Sequence, residues 1–495
     1  MCYRAAIFIL AASTATLVAA DAPPSDPPPA HFLLHDSLGN VVQVSTNDVH
    51  PSLHPPAAVG AGHQIPRPTK GAPQSEEVRQ RIVESKSGQE TPQWFPATPP
   101  VLAPYLGNLD EFGNTAVQPG GLFARGPFSE VAQAGKYWLS GLGLRESFYQ
   151  SLTMVSMSDT VSGSSTLQYY AADFLGKWAV FEVPHSGPAG WISAEVEVQL
   201  GLSPASRTQS PQGNLGTLVN PQANVSGPNG AWMPELAWQQ SLLEGKLVLL
   251  AGLVNQGNYL DANSYANNSQ GQFLNGAFVN SSVLPLPANN LGLNLQWQPS
   301  SFWYVLFGTG ANNQLPGQSP FQDLGLRDWS YLLELGLMPK DVLGLGPGVY
   351  RLQPFLATVS GQTQAGLGVN VQQQLGRNSP FAWFGRFGAG GSQVALSGAS
   401  AQAAGGLVML APLKRGGLVP GLSNDLLGLG MVWSQSSTTT QTVYHDNEYA
   451  LETFYTLQLT PTIKLQPDMQ VVWNPAFNPQ PGPALVWQLQ LDIAW

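Results

Sequence analysis

Cysteine is almost absent from this 495-residue chain, and its one thiol, Cys2, sits ahead of the first apolar run. That excludes an internal disulfide framework and a cysteine-ligated metal site. Long apolar runs are also missing after the first twenty residues, so no segment reaches the roughly 18 residues that a membrane helix needs. Charge is scarce, with Asp, Glu, Lys and Arg making up 10% of the chain, against roughly 25% in an average soluble domain. The formal net charge is −10 and no Lys/Arg cluster is present, which argues against nucleic acid as a partner. What the chain has instead is glycine, proline and uncharged polar residues, at a mean hydropathy of −0.04. Low charge without high hydropathy is the mark of strict alternation, in which half of each segment is apolar and half is Gln, Asn, Ser or Gly.

The alternation is plainest at the carboxyl end, LVWQLQLDIAW. Leu485, Trp487, Leu489, Leu491, Ile493 and Trp495 form one apolar set, and Val486, Gln488, Gln490, Asp492 and Ala494 the other. A two-residue period is a β-strand with one apolar and one wet face. Aromatics at both ends of the apolar face match a transmembrane barrel strand with interfacial girdles, although an edge strand of a soluble β-sandwich shows the same period. The pattern recurs from about residue 137 onward. WISAEVEVQL separates Ile192, Ala194, Val196, Val198 and Leu200 from Ser193, Glu195, Glu197 and Gln199. RDWSYLLELGLMP sets Trp329, Tyr331, Leu333, Leu335 and Leu337 opposite Asp328, Ser330 and Glu334. LGLNLQWQ, QAGLGVNVQQQLG, FAWFGRFGAG, EYALETFYTLQLT and PTIKLQPDMQVVW read the same way. About fifteen such segments are separated by Gly, Pro, Asn and Ser turns, and a bacterial single-chain barrel closes with an even number. A wet face of Gln, Asn, Ser and Gly, poor in Lys and Glu, favours a water-filled lumen over the outside of a sandwich. The expected fold is therefore all-β, a transmembrane antiparallel β-barrel of about 16 strands.

The amino terminus, MCYRAAIFILAASTATLVAA, has an early Arg4, an apolar centre and the small residues Ala19 and Ala20, the order of a secretory signal peptide at residues 1–20. From Asp21 to Pro104 the chain is rich in Pro, Ser, Gln and His and has no apolar period, which predicts a disordered periplasmic extension. Only Ser75 to Ser85 has the makings of one or two helical turns. His31, His35, His50, His54 and His63 are irregularly spaced without an acidic cluster, so a solvated linker is favoured over a metal site. The remaining 105–495 is the barrel.

Parity assigns the charges. An Arg or Lys on the lipid face near mid-membrane costs about 2–4 kcal/mol, so strand charges should face the lumen. Glu195, Glu197, Glu334, Arg351, Arg386 and Glu452 are the expected constriction residues; the alternative is that they form ion pairs that stiffen the wall. The polar, aromatic-spaced stretch Asn258 to Phe273 is the best candidate for an inward-folded loop, against an ordinary surface loop or a trimer contact. A Ca²⁺ site at Asp261 is weak, because one carboxylate gives little charge for a hard cation. Enzyme readings fare poorly: His185 and His445 are isolated, no Gly-x-Ser-x-Gly or zinc signature occurs, and no cofactor is implied. The Glu195/Glu197 pair suits a wet strand better than a glycosidase.

Three stretches together resemble the carbohydrate-selective porin family of the OprB type. They are residues 236–312, with LAWQQSLLEGKLVLLAGLVNQGNYLDANSYANNSQGQFLNGAF; residues 449–475, with YALETFYTLQLTPTIKLQPDMQVVWNP; and the closing strand. The order and spacing of these stretches carry the resemblance, which spans roughly 105–495; departures lie before residue 190 and in the terminal Trp, where Phe is commoner. The resemblance implies a barrel of about sixteen strands in a Gram-negative-type outer membrane, narrowed by inward loops, through which sugars diffuse passively. It also implies that the closing strand, with Trp487 and Trp495, is read by barrel-assembly machinery. A homotrimer is compatible with it. The competing expectations are a general or adhesin-like outer-membrane barrel and a secreted β-sandwich lectin.

Overall fold

The computed structural model describes residues 31–35, 41–45, 121–123, 135, 139 and 144–494, the last range without 183–188, 226–228, 244, 313–327, 360, 378, 392–397, 419–421, 423, 438–441 and 481. The chain divides into two compact units, Met1–Pro68 and Thr69–Trp495. Within the first, β1 (His31–His35) and β2 (Val41–Ser45) pair antiparallel, His31 opposite Ser45. The helical turns expected at Ser75–Ser85, and His50, His54, His63 and His185, lie outside the described residues.

In the second unit sixteen strands close into a barrel. They are β3 (Leu144–Met157), β4 (Thr166–Glu182), β5 (Ala189–Gly201), β6 (Gly230–Leu242), β7 (Leu247–Val254), β8 (Asn290–Trp297), β9 (Trp303–Ala311) and β10 (Trp329–Leu337). The second half comprises β11 (Gly348–Val359), β12 (Gln362–Gln374), β13 (Phe381–Gly390), β14 (Ala399–Leu410), β15 (Leu426–Ser436), β16 (Asn447–Thr460), β17 (Ile463–Trp473) and β18 (Ala484–Ala494). Each strand pairs antiparallel with its neighbours in sequence, and β18 closes on β3, with Ala494 opposite Tyr149 and Val486 opposite Met157. A closed ring has no free edge, which decides against the sandwich. An even count of antiparallel strands also brings the start of β3 and the end of β18 to the same rim.

The expected parity holds in three dimensions. Along β18, Leu485, Trp487 and Leu489 are exposed at 39%, 57% and 43%, while Gln488, Gln490 and Asp492 are buried. β16 and β17 keep the odd positions outside, with Glu448, Glu452, Gln466, Asp468 and Gln470 inside. In β11 the order reverses, so that Leu352 and Leu356 face out and Arg351 faces in. Glu146, third in β3, shares the outward side of that strand with Phe148 and Gln150, because Ser147, Tyr149 and Ser151 take the buried side. It stands at a strand end, where a charge costs little. Trp297 and Trp303 meet edge to face at 5.3 Å on the outer side of the β8–β9 turn, and Trp433 donates from Nε1 to Asn447 Oδ1 at 2.8 Å near the opposite rim. Trp495 lies outside the described residues. No helix among the described residues is long and apolar enough to cross a membrane.

Candidate functional site

The inward face of the ring is not left bare. Two connections fold into it: residues 202–225 after β5, and residues 255–289 between β7 and β8. The second contains the polar stretch singled out in the sequence. It crosses from the wall of β5 and β6 to that of β12 and β13, and on to β16.

Its first anchor is on β5 and β6. Asn255 and Asn258 donate side-chain N–H groups to Glu195 Oε2 at 2.9 and 3.0 Å, and the Tyr259 hydroxyl donates to Glu235 Oε1 at 2.6 Å. Glu195 lies directly opposite Glu235 in the sheet, an arrangement of like charges that would repel without such donors.

Asp261 is the hub of the crossing. Its backbone is in the left-handed region, φ 61°, a conformation that a non-glycine residue holds only where its surroundings fix it. Those surroundings are explicit. Its N–H donates to Glu334 Oε2 at 3.0 Å, and its carboxylate lies 3.0 Å from Arg386 Nε. The same carboxylate accepts from Asn370 Nδ2 at 2.6 Å and from the Ser281 N–H at 2.7 Å. Arg386 also donates to the Asp261 carbonyl at 2.8 Å, to Asn267 Oδ1 at 3.2 Å and to the Phe278 carbonyl. This uses up the carboxylate that a Ca²⁺ site would have needed, and among the described residues no group of three or more His, Cys, Asp or Glu is arranged to hold a metal.

Beside the hub, the Tyr304 hydroxyl donates to Glu334 Oε1 at 2.5 Å and accepts from Arg351 Nε at 3.0 Å. Gln353 donates to Glu334 Oε2 at 2.8 Å, so every oxygen of Glu334 is engaged. Further round the ring, Glu452 accepts from the Leu274 and Asn275 N–H groups at 2.5 and 3.0 Å.

Apolar sockets complete the seating. Phe273 packs on Phe278, Phe384 and Phe454 at ring separations of 4.6, 5.2 and 4.8 Å. A Cβ at Gly430 would come within 2.8 Å of Phe273 and 2.9 Å of Phe278. Likewise Gly308 leaves room for Leu260, Gly368 for Leu284 and Gly388 for Val283. These four inward glycines of the wall are thus spaces into which the inner segment fits.

Of the six residues expected at a constriction, five are covered: Glu195 (3% exposed), Glu334 (1%), Arg351 (2%), Arg386 (3%) and Glu452 (0%). Glu197, opposite Trp232 at a register shift in the β5–β6 pair, is the one that remains partly open. Asp173, its partner across β4–β5, is partly open as a residue, with its Oδ1 buried. Sequence reasoning missed Asp261 as the hub, Glu235 and Tyr304. The signal for Asp261 was there: it is the sole charge in a neutral stretch that folds into a lumen, and a buried charge must find a counter-charge.

Comparison with known proteins follows this architecture. Residues 359–494, which contain β12–β18, match the model of the carbohydrate-selective porin, OprB family. No curated relative matches the chain. The high-pH structure of Pseudomonas putida OprB superposes with a TM-score of 0.59 at 14% identity, covering 76% of this chain and 99% of that one. Its low-pH structure gives a TM-score of 0.44 at 14% identity, with 76% and 100% covered. A mutant of the Rh. blastica porin gives 0.43 at 9% identity, with 71% and 100% covered. The chain thus closes into a sixteen-stranded ring with the fold of an outer-membrane porin, and its last seven strands match the carbohydrate-selective porin, OprB family.

Proposed function

We propose that the chain is a passive diffusion channel for mono- and oligosaccharides, and that its luminal charges divide into two roles. The observation that carries this reading is the inner segment 255–289, whose Asp261 is fixed by Arg386, Asn370 and Glu334 inside a sixteen-stranded ring. A wide ring passes solutes freely; a ring with a fixed crossing segment sorts them by size and hydrogen bonding. In this reading Glu195, Glu334, Arg351, Arg386 and Glu452 hold the crossing segment, and Glu197, with Asp173 and the partly open amides of Asn255 and Asn258, meets the solute. Carboxylate and amide groups suit sugar hydroxyls because they accept and donate hydrogen bonds as water leaves. Binding stays weak, which transit requires.

Residues 1–20 serve as the signal peptide and 21–104 as a periplasmic extension. Trp487, exposed on the outer face, and Trp495 serve as the assembly signal. An outer wall of exposed apolar residues suits a homotrimer.

Osmotic swelling of liposomes containing the purified chain, with a graded set of sugars, tests the reading. Glucose should enter well above the rate of protein-free liposomes, with a cut-off as chain length rises. Entry no faster than in protein-free liposomes would overturn it.

A further inference from the structure

β16 offers its inner face in an unusual arrangement. Glu448 and Glu452 stand four residues apart, 4% and 0% exposed, and each carboxylate spans two consecutive backbone amides of a different inner segment. Glu448 accepts from the N–H groups of Leu218 at 2.6 Å and Val219 at 3.2 Å, in the first inner segment. Glu452 takes those of Leu274 and Asn275, in the second. Glu448 also accepts from the Ala476 N–H at 3.0 Å, in the β17–β18 connection. Two residues beyond Glu452, Phe454 seats Phe273.

The two inner segments are themselves joined. Ala223 N–H donates to the Leu274 carbonyl at 2.7 Å, and Gly276 N–H donates to the Asn220 carbonyl at 2.9 Å. Neither segment is therefore held independently. A pull on one is carried to the other through two backbone hydrogen bonds, and both end on one strand.

We propose that Glu448 and Glu452 are positioning residues that seat the two inner segments on β16 as a single unit and so set the size limit of the channel. The inference rests on the lumen being the solute path. The chemistry explains why carboxylates stand there. Two N–H groups side by side need two acceptor oxygens on one planar group, and an ionised acceptor strengthens both bonds. A glutamine of the same shape has one oxygen, and its amide nitrogen would meet the second N–H donor to donor.

Glu448→Gln and Glu452→Gln in the full chain provide the test, each checked first for a heat-modifiable, folded barrel on gels. Each variant should raise single-channel conductance in planar bilayers roughly twofold and admit sugars above the wild-type cut-off. Limited proteolysis supplies a readout that a merely stiffer wall would not move. Either variant should open cleavage in both 217–224 and 266–276, because the segments move together. If a glutamine variant fails to assemble, Leu274→Pro removes one of the donated N–H groups with the wall untouched and should give the same widening. Folded variants with wild-type conductance and cut-off, or cleavage confined to one segment, would overturn the proposal. A wild-type channel that passes no sugar but widens in these variants supports the seating and overturns only the sugar reading.

Discussion

The sector of β16–β18 and the sector of β4–β6 both carry four inward-facing carboxylates, and they put them to different use. On β16–β18, Glu448 and Glu452 are capped by backbone amides. In the same sector Asp468 Oδ1 accepts from Gln470 and Gln488 at 3.2 and 3.1 Å, and Asp492 from Ser151 at 2.5 Å. All four are buried. On β4–β6, Glu195 and Glu235 are covered by Asn255, Asn258 and Tyr259, whereas Asp173 and Glu197 keep part of their surface. The same residue type on the same face has two fates. The cover comes from an inner segment at Glu448, Glu452, Glu195 and Glu235, and from side chains of the wall itself at Asp468 and Asp492.

That difference can be erased from the middle. Arg386→Ala removes the guanidinium that grips Asp261 and the Phe278 carbonyl, leaving a buried carboxylate without its counter-charge. Breaking a buried pair from one side costs about 3–5 kcal/mol, enough to undock the crossing segment. Conductance should rise and become noisy, and cleavage should appear across 255–289 with the ring still folded. Unchanged traces and an intact segment would mean that the glycine sockets and aromatic cluster hold it without the ion pair.

A smaller effect sharpens the contrast from the open side. Glu197→Gln keeps the shape of the side chain and one acceptor oxygen but removes a charge that water reaches. The preference for cations, read as the zero-current potential across a KCl gradient, should fall, while the sugar cut-off should stay at its wild-type value. A shifted cut-off would place Glu197 among the residues that hold the inner segment.

The sequence and the structure agree where a two-residue period is enough to decide. Alternation told inside from outside at Glu334, Arg351, Arg386 and Glu452, and it distinguished a ring from scattered strands; the count of about fifteen segments fell one short of the sixteen that close. A period says which face a residue occupies and nothing of what lies against that face. The inward glycines read as pore lining, yet Gly308, Gly368, Gly388 and Gly430 are sockets for Leu260, Leu284, Val283 and the Phe273–Phe278 pair. Glu452 and Arg386 read as constriction residues, yet Glu452 is capped by backbone N–H groups and Arg386 is held by the carboxylate and carbonyl of Asp261 and the carbonyl of Phe278, all in a segment more than a hundred residues away in sequence. Backbone N–H and carbonyl groups carry no residue identity, so no motif announces them. The polar stretch from Asn258 to Phe273 was the exception, because polarity with spaced aromatics suits a segment that must bond to a wet wall and pack into it.

Ion current through a single channel, recorded as sugar is added, tests most directly the claim that solutes travel a lumen narrowed by its own inner segments. Sugars below the swelling cut-off should interrupt the current in proportion to their concentration, because solute and ions share one path. An undiminished current at high sugar concentration, in a channel that still swells liposomes, would contradict that shared path.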